Sequence, residues 1–137
     1  MKIDHIAFWV DDLEKMRSFY LKYFDTASGE LYVNAAKKFS SYFISFKGGG
    51  SKIELMNRQD ITNTNETPGI SIGLTHLAVT VGNSIKVNEM VELFRKDGYK
   101  VIGEPRISGD GYYEAVILDP EKNVVELMAE FSSTGSY

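Results

Sequence analysis

Residues 3–10 read IDHIAFWV and residues 74–81 read LTHLAVTV. Both contain H-[IL]-A-x-x-V. A second echo follows: KIELM at 52–56 returns as VVELM at 124–128. His5 and His76 are 71 residues apart, Glu54 and Glu126 are 72 apart, and so a common offset relates the two halves. Such an internal repeat decides architecture before any single element does. The reading is one domain, residues 1–137, of two modules at about 1–57 and 73–130. The stretch 58–72 between them is polar, holds Pro68 and Gly69, and reads as a loop.

Each module repeats one coarse order. Residues 3–10 alternate apolar and polar with β-branched and aromatic side chains, the pattern of a strand. Asp11 and Glu14 stand at capping-box spacing. Leu13, Met16, Phe19, Tyr20, Tyr23 and Phe24 then follow at helical spacing. Residues 30–33, 41–47 and 52–57 read as strands, with GGGS at 48–51 as the turn between the last two. In the second module 74–81 is the strand. Ser84 caps a helix carrying Val87, Met90, Val91 and Phe94, stopped near Gly98. Residues 100–107, 112–118 and 124–129 are the remaining strands, and Asp119-Pro120 opens the turn before the last. The fold class is α+β, two tandem βαβββ modules.

The rest of the composition mostly excludes. The 137 residues are 43% hydrophobic and 25% charged, an ordinary globular mixture. The net charge of −4 shows no basic face for nucleic acid. No Cys occurs, so disulfides, thiolate metal sites and cysteine nucleophiles are absent. No apolar run approaches a membrane span or an export signal, and a cytoplasmic location is the expectation.

The chain has two His residues, both at the third position of the duplicated first strand. Strand side chains alternate faces. His5, Ala7 and Trp9 therefore share one face, as do His76, Ala78 and Thr80. On the last strands Glu54 shares a face with Met56, and Glu126 with Met128. An ionised carboxylate among apolar neighbours is costly unless it is paired or binds a metal. Each module thus offers one imidazole and one carboxylate, and together they suggest a four-ligand site of His5, Glu54, His76 and Glu126. Two imidazoles and two carboxylates suit a borderline divalent ion such as Zn, Ni, Co, Mn or Fe(II). On an octahedral ion four ligands leave two positions for water or substrate. Trp9 is expected to line the same pocket. Arg58 and Arg106 are candidate anion anchors at its rim, and Tyr42, Tyr112 and Tyr113 are candidate hydroxyl donors.

Paired βαβββ modules, H-x-A-x-x-V starts and E-L ends resemble the vicinal oxygen chelate superfamily, which includes glyoxalase I. The resemblance covers residues 2–129, and D-P-x-x-N-x-x-E at 119–126 is its most familiar segment. It implies a cupped, barrel-like sheet with helices outside, around one metal that chelates two adjacent substrate oxygens. It implies His5, Glu54, His76 and Glu126 as the ligands, the His/Glu/His/Glu set of bacterial-type glyoxalase I. The implied activity is that of a lactoylglutathione lyase-like enzyme acting on an α-hydroxycarbonyl or thiohemiacetal-type small molecule. In that reading Glu126, with Glu54 second, moves the proton. The glutathione anchors depart from the family: Trp9 replaces an Arg, Arg58 replaces an Asn, and Asp110 replaces a basic residue. The alternatives are an Fe(II) ring-cleaving dioxygenase and a protein that sequesters a small drug-like molecule. A homodimer is the expected assembly.

Overall fold

The computed structural model describes residues 3–62, 74–109 and 111–130. The chain falls into two compact units, Met1–Asn65 and Glu66–Tyr137. The expected loop at 58–72 lies largely outside the described residues, as does Asp110.

In the first unit, strand β1 (His5–Trp9) leads into helix α1 (Leu13–Tyr23). Strands β2 (Thr26–Ser28), β3 (Tyr32–Asn34), β4 (Phe39–Phe46) and β5 (Lys52–Arg58) follow. The sheet order is β1-β5-β4-β2, with β3 also on β4. The β1–β5 pair is parallel and the others are antiparallel. Sequence reading missed β2, whose three residues are too few for a periodic signal, and it placed β3 two residues early. The spacing predicts Asp11 as the helix cap. Asp12 is the N-cap, its Oδ1 accepting from the Lys15 amide at 2.9 Å, which stabilises the helix by about 1 kcal/mol. Glu14 closes no capping box; its carboxylate accepts from the Tyr42 hydroxyl at 2.6 Å.

The second unit repeats the plan: β6 (Leu77–Gly82), α2 (Ser84–Lys96), β7 (Val101–Ile107), β8 (Tyr113–Leu118) and β9 (Val124–Ala129), in sheet order β6-β9-β8-β7. Asn83, rather than Ser84, is the N-cap, accepting from the Lys86 amide at 3.0 Å. Gly98 ends the helix at φ +86°, a left-handed conformation open to glycine without a Cβ penalty. The fold is therefore mixed α+β built from two βαβββ-type modules, with one short strand added to the first.

Each sheet carries its helix on one face. Met16, Phe19 and Tyr20 of α1 meet a buried layer that includes Ile44, Ile53 and Leu55. Val87, Met90, Val91 and Phe94 of α2 likewise meet Ala115, Ile117, Val125 and Leu127. Burying each large side chain contributes roughly 1.5–3 kcal/mol, which fixes this face of each sheet inward. The alternation then sends His5, Glu54 and Glu126 to the face away from the helix.

On that face of the second sheet Gly103 has a close neighbour. A Cβ there would stand 2.9 Å from Val116 Cγ2 and 3.2 Å from Arg106 Nη1. Gly103→Ala is expected to lower stability by about 1–3 kcal/mol, the usual cost of overpacking. Urea unfolding of the variant with an unchanged midpoint would contradict this.

Candidate functional site

The site rests on one pairing made twice. In the first unit β1 runs parallel to β5 with Ala7 opposite Glu54. In the second β6 runs parallel to β9 with Ala78 opposite Glu126. Each His lies two residues before the Ala, so each imidazole is the diagonal neighbour of its Glu. His5 Nε2 is 3.6 Å from Glu54 Oε2, and His76 Nε2 is 3.2 Å from Glu126 Oε2. The imidazoles are 39% and 38% exposed and the carboxylates 14% and 19%, so the two half-sites match in depth as well as spacing.

The turns before the last strands fix the carboxylates along the sheet. Asp119 is buried. Its Oδ1 accepts from the Glu121 and Asn123 amides, both at 2.9 Å, and its Oδ2 from Asn123 Nδ2 at 2.8 Å. This is the physical content of the D-P-x-x-N motif: it sets where β9, and hence Glu126, begins. The first unit makes the equivalent turn with Gly49 and Gly50 at positive φ.

Around the first pair lie groups that sequence reading passed over. Asp4 Oδ2 accepts from His5 Nδ1 at 2.9 Å and lies 3.4 Å from Lys52 Nζ. The hydrogen bond to His5 and the Lys52 ammonium hold the Asp4 carboxyl below its usual range. A carboxylate only accepts, so Nδ1 is the donor in this bond, and Nε2 is the ring atom left on the Glu54 side for a metal. Phe43, opposite Glu54 on β4, packs edge-on against the His5 ring at 5.2 Å. In the second unit Val116 stands opposite Glu126.

The other expected site residues divide. Trp9 shares the His5 face, is 43% exposed, and carries the Arg58 guanidinium over its ring at 5.2 Å. Arg58 Nε also donates to Asp60 at 2.6 Å, and this bond holds the Asp60 carboxyl below its usual range. Arg58 belongs to β5, one residue beyond the expected strand. Arg106 is tied to Glu114 at 3.0 Å, and Glu114 is buried on the Glu126 face, one strand over. Arg106 is thus partly neutralised. Glu114 was legible in the alternation of β8, where it shares a face with Val116 and Leu118.

Tyr113 lies on the helix face, its hydroxyl donating to Asn88 of α2 at 2.8 Å, on the opposite side of the sheet from Glu126. Tyr42 likewise lies on the helix face of its sheet; its bond to Glu14 raises its pKa. The period-2 pattern assigns both to that face, whatever their chemistry. Tyr112 falls just before β8 and is 38% exposed.

Within each unit the described residues bring no three His, Asp or Glu side chains to a single point. Each offers a pair. With metal–ligand bonds of about 2.1 Å, two ligands of one ion stand about 3.0 Å apart at a right angle and about 3.4 Å apart at the tetrahedral angle. Both His–Glu separations lie within a few tenths of an ångström of that range. Imidazole and carboxylate are also the donors that borderline divalent ions accept. Each pair fits two adjacent positions on such an ion.

Duplicated βαβββ units, each pairing its first and last strands in parallel around an imidazole–carboxylate couple, define a recognisable architectural class. Residues 2–127 match the family model described as the Glyoxalase/Bleomycin resistance protein/Dioxygenase superfamily, and the chain belongs to that family. It is 30% identical over 128 residues to the protein YqjT of Bacillus subtilis (strain 168), covering 91% of this chain and 96% of that one. A glyoxalase family protein from Bacillus cereus shares the fold with a TM-score of 0.80 at 20% identity, covering 96% and 95% of the two chains. Glyoxalase I from Zea mays gives a TM-score of 0.72 at 22% identity; the match covers 93% of this chain but only 44% of the maize chain. No helix among the described residues is long and apolar enough to cross a membrane.

Proposed function

We propose that this protein is a metal-dependent lyase or isomerase of the glyoxalase type. Its substrate would be an α-hydroxycarbonyl or thiohemiacetal-type small molecule. The observation that carries this reading is the equality of the two half-sites. Chance would not bring a His and a Glu together, at similar depth and spacing, beside the same parallel strand pair in both copies.

In this reading His5, Glu54, His76 and Glu126 would hold one divalent ion, Zn or Ni by preference. Such an ion would supply Lewis-acid polarisation of the substrate's oxygens. The chain supplies the rest. Asp4 fixes the orientation of His5. The apolar side chains beside the carboxylates, Phe43 at Glu54 and Val116 at Glu126, limit competing water. Glu126 takes the proton from the substrate carbon at one carboxylate oxygen and returns it to the adjacent carbon. A carboxylate performs both steps because its conjugate acid keeps the proton within hydrogen-bond reach of both carbons. Glu54 is the second candidate for the same role. The expected dimer and cytoplasmic location belong to this proposal.

Protein purified without chelator is expected to carry about one divalent ion per chain. Glutathione hemithioacetal is expected to be a poor substrate, because Trp9 and Arg58 occupy the places of the family's glutathione-contacting Arg and Asn. A metal-free preparation that stays inert on reloading would overturn the enzyme reading and favour sequestration. A kcat/KM of ~10⁶ M⁻¹s⁻¹ or more with glutathione hemithioacetal, the range of efficient enzymes, would overturn the substrate statement. Oxygen uptake with a catechol would instead identify a dioxygenase.

A further inference from the structure

The face of the first sheet that carries His5 and Glu54 continues into a second feature. Trp9 meets Phe39 edge-to-face at 6.2 Å, and Phe39 meets Tyr32 at 6.0 Å. Three aromatic rings thus run across β1, β4 and β3. Two of them are conspicuously open, Trp9 at 43% and Tyr32 at 54%. Exposed aromatic surface is costly in water, and its concentration beside a candidate reactive pair marks a binding wall.

The same shelf ends in positive charge. Arg58 stacks over Trp9, and its Nε is held by Asp60, while its terminal Nη atoms have no hydrogen-bond partner among the described residues. A depression of about 650 Å³ opens beside it, lined by Ala36, Lys37, Lys38, Arg58, Gln59 and Asp60. Lys37 and Lys38 have no ion-pair partner among the described residues. The depression therefore carries three cations against one anion, in a chain whose net charge is −4. Stacking on the indole and the bond to Asp60 restrict the guanidinium and leave its Nη edge presented. That edge matches a carboxylate in plane and spacing. Glu54 and Arg58 lie on one strand and one face, four residues or about 13 Å apart.

We propose that the Trp9–Phe39–Tyr32 shelf and the Arg58–Lys37–Lys38 depression together bind an aryl carboxylate. The ring lies against Trp9 and the carboxylate on the Arg58 Nη edge. This rests on the proposed function and deepens it: the substrate presents its reacting oxygens at the His5–Glu54 end and carries an aromatic group and a carboxylate towards the Arg58 end.

Trp9 is the sole tryptophan, so its emission reports on the shelf directly. The probes are 3-phenylpropionate, 3-phenylpropan-1-ol and acetate, with excitation at 295 nm, where none of them absorbs. Measurements on chelator-treated protein keep this test independent of the metal. Phenylpropionate is expected to shift the emission saturably and to bind about 10-fold more tightly than the alcohol, with acetate weakest. By calorimetry, Arg58→Gln should remove the preference for the acid and leave alcohol binding unchanged. Trp9→Leu should weaken both by about 3–10-fold, the worth of an aromatic pair. Equal affinity for acid and alcohol, or an acid preference that survives Arg58→Gln, would overturn the anion half. An unmoved tryptophan emission at saturating phenylpropionate would overturn the shelf. If the probe binds as stated while the protein takes up no divalent ion, the shelf stands and the metal reading falls. If the ion binds and the probe does not, the reverse holds.

Discussion

His5→Ala and His76→Ala are each expected to weaken divalent-metal binding by well over 100-fold and to leave the fold intact. Loss of an outer partner of a ligand typically costs 10–100-fold in affinity, so loss of the ligand itself should exceed that. The folding side of the prediction comes from exposure. Both imidazoles are about 39% exposed, on the face away from the helix, so truncation opens no cavity in the core. Thermal midpoints are expected to stay within a few degrees of the parent, the shift roughly 1 kcal/mol produces in a domain of this size. Metal content by mass spectrometry and a competition titration with a coloured chelator check the first part, and circular dichroism checks the second. Full metal content in both variants would remove the proposed centre. Loss in one variant only would confine the ion to a single His–Glu pair.

Glu126→Gln is expected to lower turnover by about 10²–10⁴-fold, the usual contribution of a positioned general base. Metal affinity should fall less than in the His variants, because the carboxamide oxygen remains a neutral donor. The comparison must be made at matched metal occupancy, on a substrate found by screening. Glu54→Gln is expected to cost less. The two carboxylates are pseudosymmetric in depth and spacing, so the local surroundings are where they differ. Glu54 neighbours the Lys52–Asp4–His5 chain, while Glu126 lies one strand from the Arg106–Glu114 pair. Near-normal turnover in Glu126→Gln with a dead Glu54→Gln would assign the base to Glu54. Activity in both would remove carboxylate proton transfer from the mechanism.

Much of this protein was legible in its sequence, because duplication prints itself as a fixed offset and strands print themselves as period 2. The offset gave the two βαβββ units. The alternation within 3–10, 52–56, 74–81 and 124–128 sent each His and Glu to the face opposite the apolar layer. Burial of Ile53, Leu55, Val125 and Leu127 enforces that choice, since a one-residue slip would put those side chains in water and the carboxylates in the core. Residue type misled in the remaining cases. Residue type offers Tyr113 for its hydroxyl, yet its parity in β8 turns it toward Asn88. Spacing offers Glu14 as a capping residue, yet its carboxylate accepts from Tyr42, 28 residues away.

Tertiary structure alone decided which strands are neighbours and in what register. Nothing local in HIAFW or KIELM states that β1 lies parallel to β5 with Ala7 opposite Glu54, because the order is set by which arrangement buries both apolar faces under one helix. That register converts a His and a Glu 49 residues apart into a pair 3.6 Å apart, and its repeat in the second unit makes the pair at 3.2 Å. Long-range placement also set the partners of two charged groups, Glu114 of β8 on Arg106 of β7 and Trp9 of β1 beneath Arg58 of β5, each pair joining elements that sequence periodicity treats as independent.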